Sequence, residues 1–195
     1  MSSKARYGKF TKGDYVRYLE YTVWRLCREF GYKKEPKTYE TQLSKENATM
    51  LFVHRGKKFA IFYDYKHFKK FFGHLSYGYQ KIILVGIVAH EMRHYYQHRQ
   101  MQAKVPREKK GIIEGWKKDE NGEFSHLPLH LQPLELDAQL FSIKFKDEVF
   151  DVVSSYSIFD MEHVTALEKL YVEYYEETDQ ELFDVLRSFA EERNN

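Results

Sequence analysis

The sequence predicts an α+β domain, mostly helical, with a small β-sheet packed beside one long helix. Three observations carry this expectation. Apolar residues recur at helical spacing in several separate stretches. Two short strand-like runs flank a turn that contains glycine. An apolar run from Ile82 to Ala89 passes, without a proline, straight into His90-Glu91-Met92-Arg93-His94.

Taken in order, residues 1–12 form a polar, basic lead-in. Asp14 suits the cap of a helix ending near Phe30, with Gly31 as its stop. Tyr15, Tyr18, Leu19, Thr22, Val23, Leu26 and Phe30 share one face of that helix, and Cys27 packs near it as a small hydrophobe. Lys33 to Lys45, polar and containing Pro36, reads as a loop. Thr49 to His54 and Lys58 to Tyr63 read as two strands joined through Arg55-Gly56-Lys57. Asp64 to Phe72 reads as a short helix closed by Gly73. The motif helix spans about residues 79–100. Ala103 to Gln132 is irregular and charged, with turn signals at Asn121-Gly122 and Pro128. Pro133 suits the first turn of a helix reaching Val153. Further helices follow from Asp160 and from the capping box Thr178 to Glu181. Residues 1–153 then make the main domain and 154–195 a helical extension packed on it.

The chain has 195 residues, 43% hydrophobic and 17% aromatic, enough for a substantial core. A net charge of +2 does not by itself point to nucleic acid. The basic run Lys104, Arg107, Lys109 and Lys110 beside Trp116 is the one stretch that suggests it, and no recognised nucleic-acid motif accompanies that run. A single cysteine, Cys27, rules out both an internal disulfide and a cysteine-based zinc site. The longest apolar run is far short of the roughly 20 residues that cross a bilayer. No signal peptide is visible, so a cytoplasmic setting with no membrane partner is expected.

His90 and His94 lie one helical turn apart on one face, where both imidazoles reach a single metal ion. Glu91 points about 100° round the axis. That is the place of a group that touches a metal-activated water rather than the metal. Ile83 and Ile87 extend the histidine stripe. Catalytic zinc keeps three protein ligands, so a third donor must come from elsewhere. His98 lies about 12 Å along the axis from His90, too far to share its ion, and reads as a surface residue or a support for the ligands. Asp137, His130 and His126 are candidate third ligands. The spacing His-Glu-x-x-His-x-x-Gly-x-x-His is not met, because Gln97 stands at the glycine position.

The motif helix and the later segment Pro133-Leu134-Glu135-Leu136-Asp137-Ala138-Gln139-Leu140-Phe141 together resemble the gluzincin-type zinc metallopeptidases, members of the zincins. The closest likeness is to small cytosolic or phage-associated peptidases similar to those that cleave repressor proteins. The resemblance covers about a quarter of the chain. It implies that Glu135 is the third ligand, that Ala138 is the small residue one turn on, and that Gln139 takes the Asp/Asn position that supports a ligating histidine. It further implies a Zn2+-dependent peptidase acting on a peptide or protein, with Glu91 as general base. His126, His130, Tyr95 and Arg93 are candidates to support the oxyanion. Strand Lys58 to Tyr63 is expected to take an extended substrate along its edge. The alternative is a catalytically silent metal-binding regulatory or protein-interaction module of the same fold.

Overall fold

Thr11, rather than Asp14, opens the first helix. In the computed structural model, which describes residues 9–43, 48–56 and 58–150, α1 spans Lys12–Glu29. Thr11 Oγ1 accepts from the Asp14 amide at 3.1 Å, and the Asp14 carboxylate accepts from the Thr11 amide at 3.0 Å. Asp14, the cap expected from the sequence, is thus the inner half of a capping box, three residues inside Thr11. At the other end Gly31 takes the left-handed φ of 69°. Its amide and that of Tyr32 turn back onto the carbonyls of Arg28 and Cys27, so the last carbonyls of the helix are satisfied. Tyr15, Leu19, Val23, Leu26 and Cys27 are buried along one face.

Three strands follow: β1 (Lys37–Glu40), β2 (Met50–Arg55) and β3 (Lys58–Tyr63). Their order is β1-β3-β2, with β1 parallel and β2 antiparallel to β3. β1 lies inside the segment read as a loop. Lys-Thr-Tyr-Glu has no apolar alternation because this short edge strand leaves most of its side chains in solvent. Gly56, at φ 57°, makes the β2–β3 turn.

Asp64 caps α2 (Tyr65–Phe72). Its two oxygens accept from the amides of His67 at 2.9 Å and Leu43 at 3.0 Å. One buried carboxylate therefore fixes both a helix start and the chain leaving the sheet. The 25-residue helix α3 spans Tyr77–Met101. Leu84, Val88, Ala89 and Met92 are fully buried. Tyr15, also fully buried, packs its ring against Tyr63, Tyr65 and Phe68. Burial pushes its phenol pKa far up.

The segment after α3 is not irregular throughout. It contains α4 (Lys110–Glu120) and a 3-10 turn at Leu129–Leu131, before α5 (Pro133–Phe150). α4 escaped the sequence reading because its capping position, Lys109, offers no side-chain cap and two glycines lie within it. Its buried residues are Ile113, Gly115, Trp116 and Asp119. The helices expected beyond residue 153 lie outside the described residues. The chain divides into two compact units, Met1–Tyr95 and Tyr96–Asn195. No helix among the described residues is long and apolar enough to cross a membrane.

Burial pushes the Asp64 pKa up, but the amides of His67 and Leu43 outweigh it and hold the carboxyl below its ordinary value of 3.8. A depressed carboxyl stabilises the fold above its unfolded pKa and loses that contribution as pH falls through the folded one. Asp64→Ala should lower stability by about 1–3 kcal/mol at pH 7. In urea titrations the gap between wild type and variant should narrow as pH drops below 3.8. A gap independent of pH would remove the carboxylate's proposed role.

Candidate metal centre

Helical pitch alone brings His90 and His94 together on α3. Their Nε2 atoms are 3.1 Å apart, with rings nearly perpendicular at 86°. Two nitrogens bound tetrahedrally at zinc distances are about 3.3 Å apart. The pair therefore already stands close to the spacing that a shared ion requires. Both histidines are half-buried, as are Ile83 and Ile87 above them, while Leu84, Val88 and Ala89 beside them are buried. The expected stripe is thus half open beside buried neighbours.

Glu91 faces a different direction. It is buried, and its Oε2 accepts from the backbone amide of Phe52 on β2 at 2.6 Å. One turn on, Tyr95 packs against the rings of Phe52, Phe59 and Tyr32. Its hydroxyl donates to the Lys34 carbonyl at 2.7 Å. Tyr95 was a candidate oxyanion donor. With 1% exposure and its proton committed to Lys34, it anchors the helix to the sheet instead. Arg93 is half-buried. The sheet does lie beside the motif helix, as the sequence predicts, but the strand chosen for substrate pairing is wrong. β3 is central, bonded to β1 on one side and β2 on the other, so it has no edge to offer.

In the second unit, Glu135 sits half-buried in the first turn of α5, where a carboxylate complements the helix dipole. The peptide groups around it are tightly held. The Leu134 amide donates to Asp119 Oδ2 at 2.8 Å. Gln97, fully buried near the end of α3, donates to the Leu134 carbonyl at 2.9 Å and to Asp137 Oδ2 at 2.6 Å. Asp137, a candidate ligand, is thereby engaged by an amide. Ala138 is fully buried and Gln139 half-buried. His126 and His130 are exposed, in the turn before the 3-10 segment and within it.

Of the two readings of His98, a surface residue or a support for the ligands, burial removes the first. Its Nδ1 lies 3.2 Å from Glu120 and its Nε2 2.8 Å from Gln102. Trp116 is fully buried too, so its ring offers no open face for stacking on nucleobases.

Sequence reasoning missed Phe52, Gln97 and Asp119. Phe52 acts through its backbone amide, which leaves no trace in residue type. Gln97 was noticed only as the residue that breaks a glycine pattern. Asp119 lay in the segment read as irregular. No protein-family model matches the chain, and no curated protein or solved structure matches it.

Proposed function

We propose that the chain is a zinc-dependent peptidase of zincin-like fold, with His90, His94 and Glu135 as metal ligands and Glu91 as general base. The observation that carries this reading is the convergence of the two Nε2 atoms at 3.1 Å beside a buried, amide-bonded glutamate. The donor set of His90, His94 and Glu135, two ring nitrogens and a carboxylate oxygen, has the composition of a catalytic zinc centre that keeps one position open. Within the second unit, Gln97 holds the two residues that bracket Glu135, and so fixes that carboxylate at the start of α5.

Bound there, zinc supplies Lewis acidity to a water molecule and to a peptide carbonyl. The chain supplies the rest. Glu91 Oε1 takes the proton of the attacking water, and Glu91 then returns it to the leaving amine. The half-buried stripe of Ile83 and Ile87 gives apolar surface on which a substrate side chain can rest. The outer edge of β2 beyond Phe52, whose own amide is taken by Glu91, takes over the strand-pairing role first expected of β3.

Purified protein should contain one zinc per chain by elemental analysis, and a chelator should stop cleavage of a peptide library. His94→Ala should lose the metal. Glu91→Gln should keep it while hydrolysis falls by at least about 10²-fold. Full activity in Glu91→Gln would remove the base. A metal-loaded protein that cleaves no peptide would point instead to the silent regulatory module. Gln97→Leu, which removes the amide but retains bulk, should weaken zinc about 10–100-fold in a competition titration. An unchanged affinity would detach Gln97 from the centre.

A further inference from the structure

We infer that the backbone amide of Phe52 is a positioning group for Glu91: the edge of β2 holds the base in place. This rests on the peptidase reading for its catalytic meaning, though not for the contact itself. In an antiparallel pair, successive residues turn their N–H and C=O alternately toward and away from the partner strand. Phe52 stands opposite Ile61, and its amide points away from β3 to Glu91. Leu51 and Val53, its neighbours, are therefore the residues that bond β3, opposite Phe62 and Ala60. The outward amide is a consequence of strand register, and a one-residue slip would turn it into the sheet.

Phe52 is itself fixed. Its ring lies 6.0 Å from His54, 6.3 Å from Phe59 and 6.2 Å from Tyr95. Tyr95 and Glu91 are one turn apart on α3, so one residue of β2 meets both, its ring against Tyr95 and its amide on Glu91. A charge-assisted bond of 2.6 Å holds one carboxylate oxygen strongly. Oε1 is left without a hydrogen-bond partner among the described residues. A glutamate beside two metal ligands can otherwise swing toward the ion as an extra donor. Anchored through Oε2, it keeps the place of a base and presents the second oxygen for a proton.

The full chain labelled with 15N-phenylalanine tests the contact without any activity. Phe52→Leu identifies the Phe52 signal by its disappearance. In metal-free protein, Glu91→Ala should speed exchange of the Phe52 amide hydrogen about tenfold or more, with the ladder-bonded Phe62 amide unchanged. An unchanged Phe52 rate, or equal acceleration at Phe62, overturns the inference. Proline is tolerated on an edge strand where the N–H faces away from the sheet. Phe52→Pro should therefore retain zinc but lose kcat about 10–100-fold with KM nearly constant. Phe52→Leu, which loses the ring but keeps the amide, should lose clearly less kcat than Phe52→Pro. Wild-type kcat in Phe52→Pro overturns the positioning role. If the wild-type chain cleaves no peptide, the peptidase reading fails, and amide exchange still decides whether β2 holds Glu91.

Discussion

The burial of Tyr95 is the contact on which the first unit depends. Its ring meets Phe52 on β2, Phe59 on β3 and Tyr32 after α1, and its hydroxyl bonds the carbonyl of Lys34 just before β1. One side chain thus gathers the sheet and the α1–β1 connection onto α3. An aromatic ring suits this task. It brings a large apolar area, edge-to-face partners and one polar atom that must be satisfied when buried. Phe52 and Phe59, half-buried where they meet it, tie β2 and β3 to the helix.

The fold was legible wherever one chemical signal matched one structural need. Asp64 before Tyr65, Gly73 after Phe72 and the Gly56 turn are such cases, and α2, β3 and the hairpin fall where the sequence places them. β1 was hidden because an edge strand with both faces largely wet has no pattern to show. α4 was hidden for the opposite reason: its contacts are tertiary. Trp116 and Ile113 become core only because the surrounding chain covers them, and Asp119 is buried as a cap for another helix rather than its own.

The candidate site divides along the same line. His90, Glu91 and His94 follow from helical geometry, which the sequence encodes locally. What supports them does not. The end of α3 buries Gln97, His98 and Gln100, residues whose polarity gives no sign of burial. Each is paired. Gln97 bonds Leu134 and Asp137, His98 meets Glu120, and Gln100 accepts from the Arg107 amide at 2.7 Å. Buried polar groups persist only when so satisfied. A row of glutamines and histidines on one helix is therefore a set of attachment points, and composition alone cannot separate it from a solvated face.

Helix phase explains how one element anchors itself and still offers a site. His90 and His94 differ by about 40° around the axis, and so do Glu91 and Tyr95, with the second pair displaced about 100° from the first. The Glu91–Tyr95 face is the one driven against the sheet. The His90–His94 face is thereby kept half open, with no freedom to rotate, because any turn of α3 would pull Tyr95 from its ring partners and Glu91 from the Phe52 amide. The force that orients the two imidazoles is thus exerted on different residues from the imidazoles themselves. A histidine pair on a helix without that second face would keep its 3.1 Å spacing but would have nothing to decide which way it looked.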